Sequence, residues 1–148
     1  MGKRDEVYTA MQGAILASTG VSYVTIDVND DPWAWKGTKF PGVKLYDGED
    51  QITRLSYLQA TEDDMESEIP FDFIGYVRKL TSSTESIEIA RNNLMVDIEK
   101  ALVGDTTVAS LVKDIYVQER GTDKGYNEGV GWSSGVVRVL YHYNHLSP

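Results

Sequence analysis

The chain of 148 residues has no cysteine, only two histidines and four prolines, and no cluster of cations. Without cysteine there are no disulfides, no thiolate metal site and no thiol nucleophile, a composition that fits assembly in a reducing compartment. No apolar run approaches the roughly 18 residues of a membrane-spanning helix, so no membrane partner is expected. The start, Met1-Gly2-Lys3-Arg4-Asp5-Glu6, leads into no signal-like apolar core. Glu6 stands where a myristoylation pattern wants Ser or Thr. Basic residues are scattered, Lys3-Arg4 and Arg78-Lys79 being the only adjacent pairs, and 14 bases against 23 acids leave a charge of 14 − 23 = −9. A phosphate backbone is gripped by clustered Lys and Arg, so sequence-specific nucleic-acid binding is not expected either.

What is present reads as an ordinary globular chain, with 41% hydrophobic and 25% charged residues. At roughly 150 residues per domain, the length predicts a single domain over 1–148.

Periodicity orders the elements. Val7, Met11, Ala14 and Ile15 fall on one face of a helix over Lys3 to Ser18, which Gly20 stops. Val21 to Val28 alternates as a half-buried strand, and Asn29-Asp30-Asp31-Pro32 breaks it. Val43 to Tyr46 is a short strand, Asp47-Gly48 a turn, and Gln51 to Leu58 its expected hairpin partner. An acidic stretch holding Glu62, Asp63, Asp64, Glu66 and Glu68 reads as a loop. Ile69, Phe71, Phe73, Gly75 and Val77 then line one face of a long strand, with Pro70 placing it at an edge or at the start of the strand.

The second half begins with a helix over Ser83 to Val103. Ser82 and Glu85 have capping-box spacing, and Ile87, Ala90, Leu94, Ile98 and Ala101 form the expected buried stripe. Asp105 is placed to cap a short helix over Thr106 to Val112. Ile115 to Arg120 and Val136 to Tyr143 are strands, joined by a loop with Gly121, Gly125, Gly129 and Gly131. This order predicts an α+β fold, a mainly antiparallel sheet packed against an N-terminal helix and one long central helix. There is no βαβα alternation and no Gly-x-Gly-x-x-Gly or phosphate-binding loop.

No catalytic, cofactor or metal set emerges. Gly131-Trp132-Ser133-Ser134-Gly135 matches the nucleophile-elbow pattern, but a β-rich run follows it and no Asp or Glu occurs after Glu128. Asp27, Asn29 and Asp31 imitate the first ligands of a calcium loop, yet Pro32 replaces the glycine and Thr38 the bidentate glutamate. A turn made by side-chain-to-backbone bonds explains them more simply. His142 and His145 lie three apart with no partner ligand nearby in sequence.

Two features suit interaction. Trp33, Trp35 and Phe40 crowd a loop rich in turn residues, where aromatics either close the core or anchor a partner. The acidic stretch is either a solvated loop or, in a pore-forming oligomer, a lining that repels a passing polyanion.

Several runs then share one pattern. The strand Phe71-Asp72-Phe73-Ile74-Gly75-Tyr76-Val77 is followed by a helix ending Asp97-Ile98-Glu99-Lys100-Ala101-Leu102. Gly104-Asp105-Thr106-Thr107-Val108, Leu111-Val112, Ile115-Tyr116-Val117 and Thr122-Asp123-Lys124-Gly125 come next, before the closing strand Val136 to Tyr143. With the N-terminal helix and the approach to Phe40-Pro41-Gly42-Val43, this layout resembles the tail terminator, or tail completion, proteins of long-tailed bacteriophages. It departs from them at the Trp33–Trp35 loop and the acidic stretch.

The resemblance implies a subunit of a six-fold ring that caps the finished tail tube, ends its polymerisation and meets the head–tail connector. It implies a homo-oligomer with the tail tube protein and the connector protein as partners, a virion protein assembled in the host cytoplasm, and no enzyme activity or cofactor. Some of Glu62, Asp63, Asp64, Glu66 and Glu68 are then expected to face the lumen. Another head–tail neck protein, or a monomeric acidic binding or inhibitor protein, are the competing expectations.

Overall fold

The computed structural model describes residues 2–18, 20–55, 63–78 and 86–148. Helix α1, Lys3–Leu16, buries Val7, Met11, Ala14 and Ile15, the four residues that the 3.6-residue period selects. Asp5 and Glu6 occupy its first turn, where exposed amide dipoles favour carboxylates. From the same turn Arg4 bonds Asp50 at 2.8 Å, the Gly48 carbonyl at 2.9 Å and the Asp47 carboxylate, fixing the helix start to residues 47–50.

Six strands follow in one sheet: β1 Tyr23–Thr25, β2 Gly42–Asp47, β3 Gln51–Arg54, β4 Met65–Arg78, β5 Asp114–Asn127 and β6 Val130–Tyr143. Their order is β1-β2-β4-β6-β5, with β3 also on β4. Only the β1–β2 pair is parallel, so the architecture is α+β with a mostly antiparallel sheet. Helices α2, Ile87–Gly104, and α3, Thr106–Leu111, lie between β4 and β5 in sequence.

The three helices cover one sheet face. Ile69, Phe71, Phe73 and Val77 of β4 point into it, beside Val43 and Leu45 of β2 and Val137, Val139 and Tyr141 of β6. Val7, Met11 and Ile15 of α1, Leu94, Met95, Ile98 and Leu102 of α2, and Val108 of α3 complete the same cluster. Each such side chain contributes about 1.5–3 kcal/mol by leaving water. Gly75 lets α2 approach closely, because a Cβ there would stand 2.7 Å from both Leu94 Cδ2 and Met95 Cε.

Several expectations need correction. The turn at Asp47-Gly48 does not fold β3 back on β2. Instead β2 pairs with β4 over Phe71 to Tyr76 and β3 pairs with it over Met65 to Glu68, so the two lie end to end along one side of β4. Pro70 sits at the junction, its carbonyl accepting from the Gly48 amide at 2.8 Å. A strand residue points its N–H and C=O the same way, so the donor that proline lacks falls in the gap between the partners. Pro70 therefore stands inside a strand of 14 residues, not at its start. Of the expected strand Val21 to Val28, only Tyr23–Thr25 pairs, because Asp27 and Asp30 begin turning the chain.

The glycine-rich segment 121–131 is hairpin, not loop. Strands β5 and β6 meet in a two-residue turn with Glu128 at φ 50° and Gly129 at φ 83°, the left-handed pair that matches strand twist. The glycines serve bulges and close contacts along that ladder, and β5 shifts register between Val117 and Glu119 and between Arg120 and Lys124. The described part of α2 is capped by Ser86, whose hydroxyl accepts from the Ile89 amide at 3.2 Å, while Ser82 and Glu85 lie outside the described residues. Its buried stripe is Leu94, Met95, Ile98 and Leu102, with Ile87 and Ala90 packed at its margin. Asp105 caps α3 as expected, accepting from the Val108 amide at 2.9 Å.

Candidate functional site

The even-numbered residues of β4 and β6 form the sheet face that the helices leave uncovered. One end of that face is closed by residues 26–41, which include two 3-10 turns, Pro32–Ala34 and Gly37–Lys39. Asp31 caps the first turn by accepting from the Trp33 amide at 3.0 Å. This anchors the loop so that its aromatics fall on the sheet.

Trp35 is 4% exposed and packs with Tyr76 and Val130, with Tyr23, Phe40, Ile74 and Trp132 around them. Its ring centroid lies 5.1 Å from Tyr23 and 5.5 Å from both Phe40 and Tyr76, in edge-to-face or tilted geometries. Its indole N–H donates to Asp30 Oδ1 at 2.7 Å, and the Tyr23 hydroxyl donates to Asp30 Oδ2. Those bonds, the Tyr23 hydroxyl foremost, hold the Asp30 carboxyl below its usual range against the opposing effect of burial. Burial pushes Tyr76 up to about 12, helped by nearby carboxylates that include Asp123 and Asp31.

Trp33 behaves differently. At 37% exposure it caps the cluster, 5.6 Å from Trp132 and 6.2 Å from Tyr76, and its indole N–H donates to the Asn127 carbonyl at 2.9 Å. Of the three loop aromatics, Trp35 and Phe40 close a second core and Trp33 presents one edge to solvent. Trp132, which the sequence hides in an apparent glycine loop, is the platform beneath it. The alternation of Val130, Trp132, Ser134 and Val136 is the signal that marks it as a strand residue.

The acidic stretch divides. Glu62 lies outside the described residues, and Asp63 is exposed. Asp64 is 1% exposed, which removes it from any lumen surface. Burial disfavours its charge, but the His145 backbone amide and imidazole outweigh that and hold its carboxyl below the usual range. Its carbonyl also accepts from the Leu55 amide at 2.7 Å, so Asp64 ties the end of β3 to the C-terminal segment.

Glu66 and Glu68 stand on strand β4, not in a loop, because ladders with β3 and β6 reach back to Met65. On the open face Glu66 meets His142 at 2.9 Å and Glu68 meets Arg138 at 3.6 Å. Both histidines are thus engaged by carboxylates, and among the described residues no cluster of His, Asp and Glu is arranged to hold a metal.

The serine motif lies inside β6. Ser133, the nucleophile position of the pattern, is 2% exposed and lies opposite Gly75 on the helix-covered face, while Ser134 Oγ accepts from the Asp123 amide at 3.0 Å and contacts Thr122 Oγ1 at 3.1 Å, filling the β5 bulge. Asp27 and Asp31 use their carboxylates to accept from the amides two residues on, at 2.9 and 3.0 Å, the turn chemistry that their spacing allows. No described helix is long and apolar enough to cross a membrane.

No protein-family model and no curated protein matches the chain. The surfaces comprise a buried aromatic end and an open sheet face edged with carboxylates.

Proposed function

We propose that this chain is a structural virion protein that caps the tail tube of a long-tailed bacteriophage as an oligomeric ring, ends tube polymerisation and forms the joint to the head–tail connector. The observation that carries the reading is the order of elements. An N-terminal helix, a strand pair reaching Phe40-Pro41-Gly42-Val43, the long strand through Phe71 to Val77, two consecutive helices and a closing hairpin are compatible with the layout by which the sequence resembles tail terminators. In the proposed subunit the mainly antiparallel sheet rests on the N-terminal helix and one long central helix.

Physical features support a ring. One sheet face stays open, and its surface is chemically unlike the helical side behind it, which suits a heterologous contact repeated around an axis. Glu66 and Glu68 lie at the end of that face away from the aromatic cluster, and carboxylates there discourage DNA from adhering as it passes. The proposed partners are further copies in a six-fold ring, the tail tube protein and the connector protein. The proposed location is the tail or neck of the virion, after assembly in the host cytoplasm.

The decisive experiment polymerises purified tail tube protein from the same phage with and without this chain, and images the tubes by electron microscopy. Ring density at one tube end and arrested growth are the expected results. Unaltered tube growth with no bound density overturns the reading. A chain found instead on the isolated connector identifies a different neck protein.

A further inference from the structure

Two surfaces remain uncovered among the described residues, and they lie on opposite sides of the subunit. The outer side of α2 sets Ile89, Val96 and Val103 at 54%, 41% and 47% exposure, although a surface helix normally turns polar residues outward. Their spacing of seven residues puts them almost in line, about 10 Å apart. Helix α2 runs along β5, where Arg91 Nη1 donates to the Gly125 carbonyl at 2.8 Å and Arg120 bonds Glu99 at 2.6 and 2.8 Å. Lys124 falls between those contacts on the helix-covered face, opposite Ser133, and is exposed like Lys100 of α2 itself.

The open sheet face carries the complement. Ile74, Val136 and Leu140 are half-buried there, flanked by the exposed carboxylates of Asp72 and Glu119. Of its cations, Arg138 is engaged by Gln118 at 2.6 Å and by Glu68 at 3.6 Å, Lys44 is buried on the Val28 and Asp30 carbonyls, and Arg78 lies at the aromatic end over the Phe40 ring. One side of the molecule thus presents an apolar row edged by lysines, and the other an apolar row edged by carboxylates.

From this pairing we infer that the outer face of α2, with Lys100 and Lys124, docks on the open sheet face of a second copy of this chain, against Asp72 and Glu119. The inference rests on the ring reading and names its subunit contact. Because the two surfaces differ and stand back to back, each copy offers both halves of the contact, and repetition gives a closed ring or an open chain according to the rotation per step. The exposed charge pairs steer association and make it salt-dependent, while the apolar rows exclude water between the copies.

The absence of cysteine makes the test clean. Val96→Cys and Val136→Cys variants of the full chain are oxidised separately and as a mixture, then measured by non-reducing electrophoresis and light scattering. A mixed disulfide dimer is expected only in the mixture, and a ladder or closed ring from the doubly substituted chain. A second pair keeps the result independent of thiol reactivity. Lys100→Glu with Lys124→Glu, and Asp72→Lys with Glu119→Lys, should each weaken self-association at least tenfold, and a 1:1 mixture should recover it. Thermal unfolding of the charge variants, read at a concentration too low for association, should stay at the wild-type temperature, since those four side chains are exposed.

A ring-sized mass without the mixed disulfide overturns this contact and leaves the ring reading standing. Mixed disulfides in open chains that never close uphold the contact and count against the ring. A Val96→Cys homodimer in place of the mixed species overturns the head-to-tail arrangement. A chain that stays monomeric at every concentration overturns both.

Discussion

The two faces of the sheet are built by different means. The covered face is sealed mainly by apolar side chains, Phe71, Phe73, Leu45, Ile69 and their helical partners, with the hydroxyls of Ser67 and Tyr141 both bonded to Asp50. The opposite face is sealed only at the end where Trp33, Trp35 and Phe40 fold down, and there each indole N–H has a fixed acceptor. Helices can cover a sheet with aliphatic packing alone because their backbone groups bond internally. A loop brings unpaired backbone amides and carbonyls with it, so it closes a face only when side chains satisfy them: Asp27 and Asp31 accept from the Asn29 and Trp33 amides, and Lys44 Nζ donates to the Val28 and Asp30 carbonyls. The loop-sealed end is therefore sensitive to polar chemistry, and the helix-sealed face to volume.

Substitutions that break this contrast should differ in size and kind. Phe73→Ala empties space at the centre of the covered face and should cost about 3–5 kcal/mol in denaturant unfolding, with little dependence on pH. Trp35→Phe keeps an aromatic ring but leaves Asp30 Oδ1 without its donor, and should cost about 1–3 kcal/mol. If it costs nothing, polar anchoring is not what holds that loop.

Acid should act on the polar contacts first. Asp30 and Asp64 both have carboxyls held below their ordinary values, so their stabilisation is fully present above the unfolded value of about 3.9 and is lost as pH falls through the folded values. Urea midpoints between neutrality and pH 3 should fall in that window, and Asp64→Asn should flatten the fall. A smaller effect of opposite sign is expected at the hairpin. Glu128 holds a left-handed conformation that asparagine tolerates better, so Glu128→Asn should stabilise by up to about 1 kcal/mol. Smallest of all, Asp72→Lys on the open face should change monomer stability by no more than about 0.5 kcal/mol, read from the same unfolding curves.

Much of the covered face was legible in sequence because it repeats. Val7, Met11, Ala14 and Ile15 mark the inner side of α1, and the odd-numbered run from Ile69 to Val77 marks the inner side of β4. A single continuous buried face leaves a strict period, and α1 keeps one although it meets α2, α3, β1 and β2. Helix α2, which meets β4, β6, β5 and both other helices, was harder. Its buried stripe keeps the expected Leu94 and Ile98 but adds Met95 and has Leu102 in place of Ala101.

The candidate site was only half legible. The loop aromatics announce themselves, but their platform, Trp132 and Tyr76, sits in strands whose pairing is decided far away in sequence. Glycines near residues 121 to 131 suggest a loop when read singly. In the ladder they admit bulges and Trp132 contacts, because a Cβ at Gly125 would lie 2.4 Å from the Trp132 ring. The acidic stretch misled for a similar reason. Charge predicts solvent, yet Asp64 is buried by its bonds to His145, a partner that lies 81 residues away.

Local chemistry by itself determined the α+β class, the inner faces of α1 and β4, the Asp105 cap and the turn at Asp27 to Asp31, all of which depend on neighbours within a turn or two. Only the tertiary structure decided that β2 and β3 share one side of β4, that β5 and β6 continue through the glycines, and which acidic groups remain at the surface. Strand pairing and burial are set by partners distant in sequence, and the free energy that selects among them arises only when those segments meet.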